Sequence, residues 1–383
     1  MLFKKFSLPI GLVHRRGYYT VKKDDTVMET SSGHAVNMAY ASYETTSEDS
    51  GRATPLLIFH GLFGSKSNWN SFSKVYHNTS VPPQRKIFAV DARNHADSPF
   101  TESHNYDDMV LDLKKFLDTS NITKINLLGH CMGGRACMLF SLKYPELVEK
   151  LIVSDISPIT TSVNFKSIAM LFSVMRLLKL PQNMPLSMAK NEVQRHLLAV
   201  VPNKILRGLI VNNLVQKSDG SYKWGLNLNS LLNNYESIAS FPDVHNVSFD
   251  GPVMFLAGAN SDFVQRSDLP RIRKMFPNAQ LKYLENAGHW PHKEKPNEFL
   301  KLTVNFLNSQ PQREDDPGHA KEPTSKPPDV EKPEDKSLVE KSPSGAKDDD
   351  DSLFKTDSDV KMIDLQIDFS KVTRQNDETT KEV

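Results

Sequence analysis

The chain has 383 residues, 47 Lys+Arg against 46 Asp+Glu, and a hydrophobic share of 38%, below the globular norm of about 45–50%. The near-balance hides three regions: residues 1–23 hold six basic side chains and no acid, residues 24–310 hold 29 basic and 26 acidic, and residues 311–383 hold 12 basic and 20 acidic. A body so nearly neutral has no strong electrostatic footprint for nucleic acid. No run reaches the roughly 20 apolar residues of a transmembrane segment, and two cysteines, Cys131 and Cys137, make no disulfide framework.

Taken in chain order, the opening MLFKKFSLPIGLVHRRGYYT is basic, free of acid, and mixes apolar residues with Ser and Thr. That is the composition of a mitochondrial transit peptide, with a processing site at Arg16-Gly17-Tyr18, so residues 1–23 are expected to be an import signal and the protein mitochondrial. Val36 to Tyr43 is expected to supply an antiparallel edge hairpin. Apolar runs of three to five residues then recur, each closed by a small or polar turn: Pro55–Phe59, Lys86–Val90, Ile125–Leu128, Leu151–Val153, Val253–Ala257 and Leu281–Leu284. Continuous apolar strands indicate a parallel sheet covered on both faces. Tyr106–Leu117 and Arg135–Tyr144 have the length of crossover helices.

The spacing breaks once, between the fourth and fifth runs. The stretch from about 160 to 250 is too long for a loop in a compact domain, and it carries helical apolar patterning over Ile168–Leu180 and Val193–Leu214. It reads as a helical cap inserted over the carboxyl edge of the sheet, within a body of residues 24–310. From Pro311 onward Pro, Lys, Asp, Glu and Ser dominate. Such a segment buries too little apolar surface to offset its ordering entropy, so 311–383 is expected to be a disordered acidic tail. Within it Ile363, Leu365, Ile367 and Phe369 alternate with polar residues, a pattern able to add a strand to a partner's sheet edge.

The chemistry centres on Gly129-His130-Cys131-Met132-Gly133-Gly134, where the third strand runs into a helix. This is G-x-S-x-G with Cys in place of Ser. A nucleophile on a sharp strand-to-helix turn needs small flanking residues, and Gly129 and Gly133 supply them. The helix N-terminus behind Cys131 favours negative charge and hence the thiolate. His289, in Asn286-Ala287-Gly288-His289-Trp290 after the last strand, sits where the base belongs in a nucleophile–acid–histidine order. The backbone N–H groups of Leu62, after His60-Gly61, and of Met132 would form the oxyanion hole. Of the other histidines, His60 and His130 are expected in structural hydrogen bonds, and His95, His104 and His292 in solvent or loops. No spacing suggests a metal site, and no cofactor is implied.

These residues carry a resemblance. The body is similar to the α/β-hydrolase fold, and within it to the yeast ethanol acetyltransferases and their mitochondrial hydrolase relatives. The shared phrases are HGLFGS (60–65), DARNHADSP (91–99), GHCMGG (129–134), DISP (155–158), WGLNL (224–228) and Gly288-His289-Trp290. The resemblance implies an α/β domain with a mostly parallel central sheet, helices on both faces and an inserted helical cap. It also bears on the acid of the triad. Asp262 follows the fifth strand, the commonest place in the fold, whereas Asp155 lies in D-I-S-P, where this subgroup carries its acid; Asp155 is the preferred candidate and Asp262 the alternative. The chain departs from the pattern twice, with Cys131 at the Ser position and Ala96-Asp97 where the family usually has Gly.

The activity implied is acyl transfer from acetyl-CoA to ethanol or another small alcohol through an acyl-enzyme, with esterase and thioesterase side reactions. The competing readings are a plain ester or thioester hydrolase and a relative whose catalysis is weakened by the Ser-to-Cys change. The partners expected are acetyl-CoA and ethanol or another small alcohol.

Overall fold

The computed structural model describes residues 34–44, 53–79 and 85–309. The expected import signal, the acidic tail and the alternating stretch at 363–369 lie outside the described residues. The described residues open with β1 (Tyr40–Tyr43) and β2 (Leu56–Phe59), followed by a 3-10 turn and α1 (Asn70–Thr79). β3 (Ile87–Val90), α2 (Tyr106–Thr119), β4 (Ile125–His130), α3 (Met132–Lys143) and β5 (Val148–Ser154) come next. The inserted segment holds α4 (Lys166–Leu177), α5 (Leu186–Leu198), α6 (Lys204–Asn212), a hairpin of β6 (Leu214–Gln216) and β7 (Tyr222–Trp224), α7 (Leu228–Asn233) and α8 (Tyr235–Ala239). β8 (Val253–Gly258), α9 (Leu269–Met275), β9 (Ala279–Leu284), α10 (Pro291–Glu294) and α11 (Pro296–Asn308) complete it.

Seven strands form one sheet in the order β1-β3-β2-β4-β5-β8-β9. All neighbours are parallel except β1, which pairs antiparallel with β3, Tyr40 opposite Val90. The stretch from Val36 is therefore one edge strand and not the expected hairpin: its partner is β3, reached across the sheet edge. The six apolar runs are the six parallel strands. The continuity of β2, β3, β4, β5 and β8 has a direct cause, because both faces are buried, whereas β9 is the edge strand and exposes Gln280 and Lys282. Leu57, Phe59, Phe88, Leu127, Leu151, Val153 and Phe255 face a core that includes α2 and α3. Leu56, Ile58, Ile87, Leu128, Ile152, Met254 and Leu256 face the other, which includes Trp69, Tyr76, Phe299 and Leu307 from the α1 and α11 side.

The inserted segment is mainly helical, as its periodicity predicts, but the β6–β7 hairpin was not legible in it. Three-residue strands leave too short a period-two signal. Two buried polar constructions tie this segment to the sheet. In the first, Asn94 Nδ2 donates to Ser230 Oγ at 3.1 Å, Asn227 Nδ2 donates to Asn94 Oδ1 at 3.0 Å, and Ala96 N donates to Gly225 O at 2.7 Å. The phrases DARNHADSP and WGLNL are thus two halves of one contact. In the second, the Arg135 guanidinium, 1% exposed, reaches Ser157 O and Thr160 O where the chain leaves the sheet, and Ala239 O at 2.7 Å where it returns.

Candidate active site

The elbow is built by steric exclusion. Cys131 takes φ 50°, ψ −120° as the N-cap of α3, and its N–H donates to Ser154 O at 3.0 Å. A Cβ on Gly133 would overlap the Phe59 and His60 carbonyl oxygens, and one on Gly129 would overlap the carbonyl of Gly133. Only glycine lets helix and strand approach so closely. The left-handed region costs about 1–2 kcal/mol for a residue with a Cβ, and asparagine tolerates it best. Among the described residues four that are neither Gly nor Asn occupy it: Phe63, Ala96, Cys131 and Asp155. Three of these four belong to the three loops that carry the candidate oxyanion donor, nucleophile and acid. Strain concentrated in this way accompanies functional sites.

Asp155 directly follows β5, fully buried, and accepts three hydrogen bonds. Gly258 N donates to Oδ1 at 2.8 Å; Ser261 Oγ at 2.5 Å and His289 Nδ1 at 2.7 Å both donate to Oδ2. Asp262, the alternative acid, accepts instead from Ser162 Oγ at 2.8 Å. The carboxylate in D-I-S-P is therefore the one that holds the histidine. The choice follows from chain direction: Asp155 sits at the tip of β5 beside the β8 terminus, while Asp262 lies farther along the next loop, toward the inserted segment.

His289 is clamped on several sides. The Phe263 ring stacks on it with centroids 3.8 Å apart at 20°, and His130 Nε2 bonds the His289 carbonyl at 2.8 Å. Burial works against an imidazolium here. The Cys131 charge, the hydrogen bonds to Asp155 and Cys131, and the Asp155 charge outweigh it, raising the pKa from 6.5 to about 10. These contacts together favour a cationic His289. Leu62 lies in the turn closed by Gly64 N to Gly61 O at 2.9 Å, and Met132 is the first residue of α3, so its N–H has no intrahelical partner. Beside the site, a shallow cleft of about 240 Å³, counting space open to solvent, is lined by His60, Leu62, Trp69, His130, Trp290 and His292; Cys131, Asp155 and His289 are not among its lining residues.

The remaining histidines divide differently from expectation. His60 does make structural bonds, accepting from Ala92 N at 3.0 Å through Nε2 and contacting Gly61 O through Nδ1. His95, His104 and His292 are buried, not solvated; His292 stacks on Trp69 at 4.4 Å. Burial pushes His60 to about 4 and His95 to about 3, so both are neutral. Ser261 and Phe263 were missed at the sequence level. Their only signal was adjacency to Asp262, which drew attention to the wrong member of the Ser261-Asp262-Phe263 loop. Among the described residues no group of three or more His, Cys, Asp or Glu is placed to hold a metal ion.

Comparison with known proteins places this geometry in a family. Residues 54–191 match the model of the alpha/beta hydrolase fold. The chain is 37% identical over 280 residues to the sn-1-specific diacylglycerol lipase ABHD11 of Danio rerio, covering 73% of this chain and 84% of that one. It is 27% identical over 271 residues to ethanol acetyltransferase 1 of Hanseniaspora uvarum, covering 67% of this chain and 80% of that one. Among solved structures, a marine microorganism esterase superposes with a TM-score of 0.63 at 30% identity, over 71% of this chain and all of the other. Fold, sheet order and family model agree: the chain belongs to the α/β-hydrolase family.

Proposed function

We propose that this protein is a carboxylic ester hydrolase acting through an acyl-enzyme on Cys131. The observation that carries the reading is the Asp155–His289 hydrogen bond, held beside a cysteine on a glycine-flanked elbow. The Cys131 thiolate attacks the ester carbonyl carbon, and the oxyanion is met by the N–H groups of Leu62 and Met132. Imidazolium His289 gives its proton to the departing alkoxide, leaving a neutral histidine and an acyl thioester. Neutral His289 then takes a proton from water, whose oxygen attacks the thioester. Collapse expels the Cys131 thiolate, releases the carboxylic acid, and returns His289 to its protonated form. Asp155 keeps Nδ1 protonated throughout. The similarity to a diacylglycerol lipase supports an acylglycerol or comparable lipid ester as substrate.

One observation favours a second reading, acetyl transfer from acetyl-CoA to ethanol. A cysteine at the elbow makes acylation by a CoA thioester an exchange of one thioester for another, nearly balanced in free energy. The phrases shared with ethanol acetyltransferases point the same way. Mitochondrial import directed by residues 1–23 belongs to this proposal as well. The test is turnover of a p-nitrophenyl ester, a diacylglycerol, and acetyl-CoA with and without ethanol, by the wild type and by Cys131→Ala. Ester hydrolysis lost in Cys131→Ala is expected. Ethyl acetate formation exceeding hydrolysis would give preference to the second reading. A folded wild type inert toward all of them, or a fully active Cys131→Ala, would overturn the mechanism.

A further inference from the structure

Every large apolar side chain that stands exposed among the described residues lies between β5 and β8. The clearest group is on the α4 side. Val163 is 79% exposed, Met170 45% and Leu177 76%; spaced seven residues apart, they share one stripe of a helical path. The opposite face of α4 packs Ile168, Leu171, Phe172 and Met175 into the core. A helix apolar on both sides is normally covered on both, so this outer face is built to meet something.

The charge around it identifies the class of partner. Residues 163–216 contain seven Lys and Arg against a single acid, Glu192. Arg207 is consumed by the Val201 and Pro202 carbonyls, and Arg195 pairs with Glu192. Arg176, Lys179 and Lys204 stand exposed with no ion-pair partner among the described residues. Cations flanking exposed Leu177 match a surface that offers phosphates above an apolar layer. The same positive charge opposes packing this face against a second copy of itself.

We propose that the α4 face docks the protein onto an anionic lipid surface, with Val163, Met170 and Leu177 entering the acyl boundary and Arg176 and Lys179 meeting headgroup phosphates. The inference stands whether or not Cys131 is the nucleophile. It is tested by flotation of the full chain with phosphatidylcholine vesicles with and without phosphatidylglycerol. The wild type is expected to float with phosphatidylglycerol vesicles in a salt-sensitive manner. The pair Val163→Ser/Leu177→Ser should cut vesicle affinity about tenfold or more, with hydrolysis of a water-soluble ester unchanged. Arg176→Gln/Lys179→Gln should weaken binding severalfold and flatten its salt dependence. Equal binding by the wild type and Val163→Ser/Leu177→Ser overturns the proposal. So does a wild-type dimer in sedimentation velocity that this pair converts to monomer, which would assign the face to a second copy.

Discussion

The state of His289 is set by neighbours far away in sequence, so its titration is the sharpest probe of the site. Replacing Cys131 with Ala removes the largest influence that raises its pKa, and NMR titration of His289 should show the value falling from about 10 toward 6.5. In the wild type, ester hydrolysis should fall as pH rises through about 10, when the group that protonates the leaving alkoxide loses its proton. Ser261 shares Asp155 Oδ2 with His289. A hydrogen bond to a charged group contributes about 1.5–3 kcal/mol. Ser261→Ala should therefore lower kcat by roughly tenfold or more with KM little changed; an effect confined to KM would remove Ser261 from the positioning of the acid. Cys131, Asp155 and His289 were all legible as candidates, because elbow, strand end and terminal histidine each have a local signature. Choosing between Asp155 and Asp262 was not a local matter, since both follow strands and only one lies within reach of Nδ1.

At the scale of elements, apolar runs closed by glycine or polar turns gave away the parallel strands, since double burial leaves no room for alternation. The turn after β3 shows the limit of such reading. Ala96 takes φ 45°, a conformation that favours glycine. Relief of the left-handed strain exceeds the extra entropy glycine brings to the unfolded chain. Ala96→Gly should stabilise the protein by about 0.5–1 kcal/mol, measured by urea denaturation; a loss of stability would mean that the strain at this turn is already relaxed. The exposed acid beside it, Asp97, is bound by Lys66, which also grips Asp91 at 2.5 Å. The histidines of this region were misjudged because a short polar phrase reads as a loop, and loops ordinarily lie on the surface. This loop is covered by α7 and the β7–α7 connection, which a linear pattern cannot announce.

Over the whole molecule, Arg135 has the widest reach. It stands on α3, four residues beyond the candidate nucleophile, and gathers carbonyls from both connections of the inserted segment. Arg135→Met would leave several buried acceptors unpaired, each costing about 1–3 kcal/mol. Destabilisation of about 3 kcal/mol or more is expected, together with faster proteolysis between residues 157 and 241; a protein of unchanged melting temperature would deny the arginine its anchoring role. The pH dependence of stability is also a collective property. His60, His95, His104, His130 and His292 are held neutral by burial. The unfolded chain binds protons at these positions below about 6.5 and the folded one does not, so stability falls as pH drops below that value. His289 works in the opposite sense: raised in the fold, it contributes stability in full below about 6.5 and loses it as pH climbs through about 10. A melting temperature that peaks near neutrality and declines on both sides is the expected profile; a flat profile from pH 4 to 7 would show that the buried histidines ionise in place. Strand positions, the sheet's double burial, the elbow and the presence of an inserted helical segment were fixed by periodicity and by turn residues within a few positions of one another. Which carboxylate holds His289, which ring flattens against it, how Arg135 closes the inserted segment and which face of α4 is left uncovered depend on contacts between residues dozens to more than a hundred positions apart, and those distances exist only once the chain has folded.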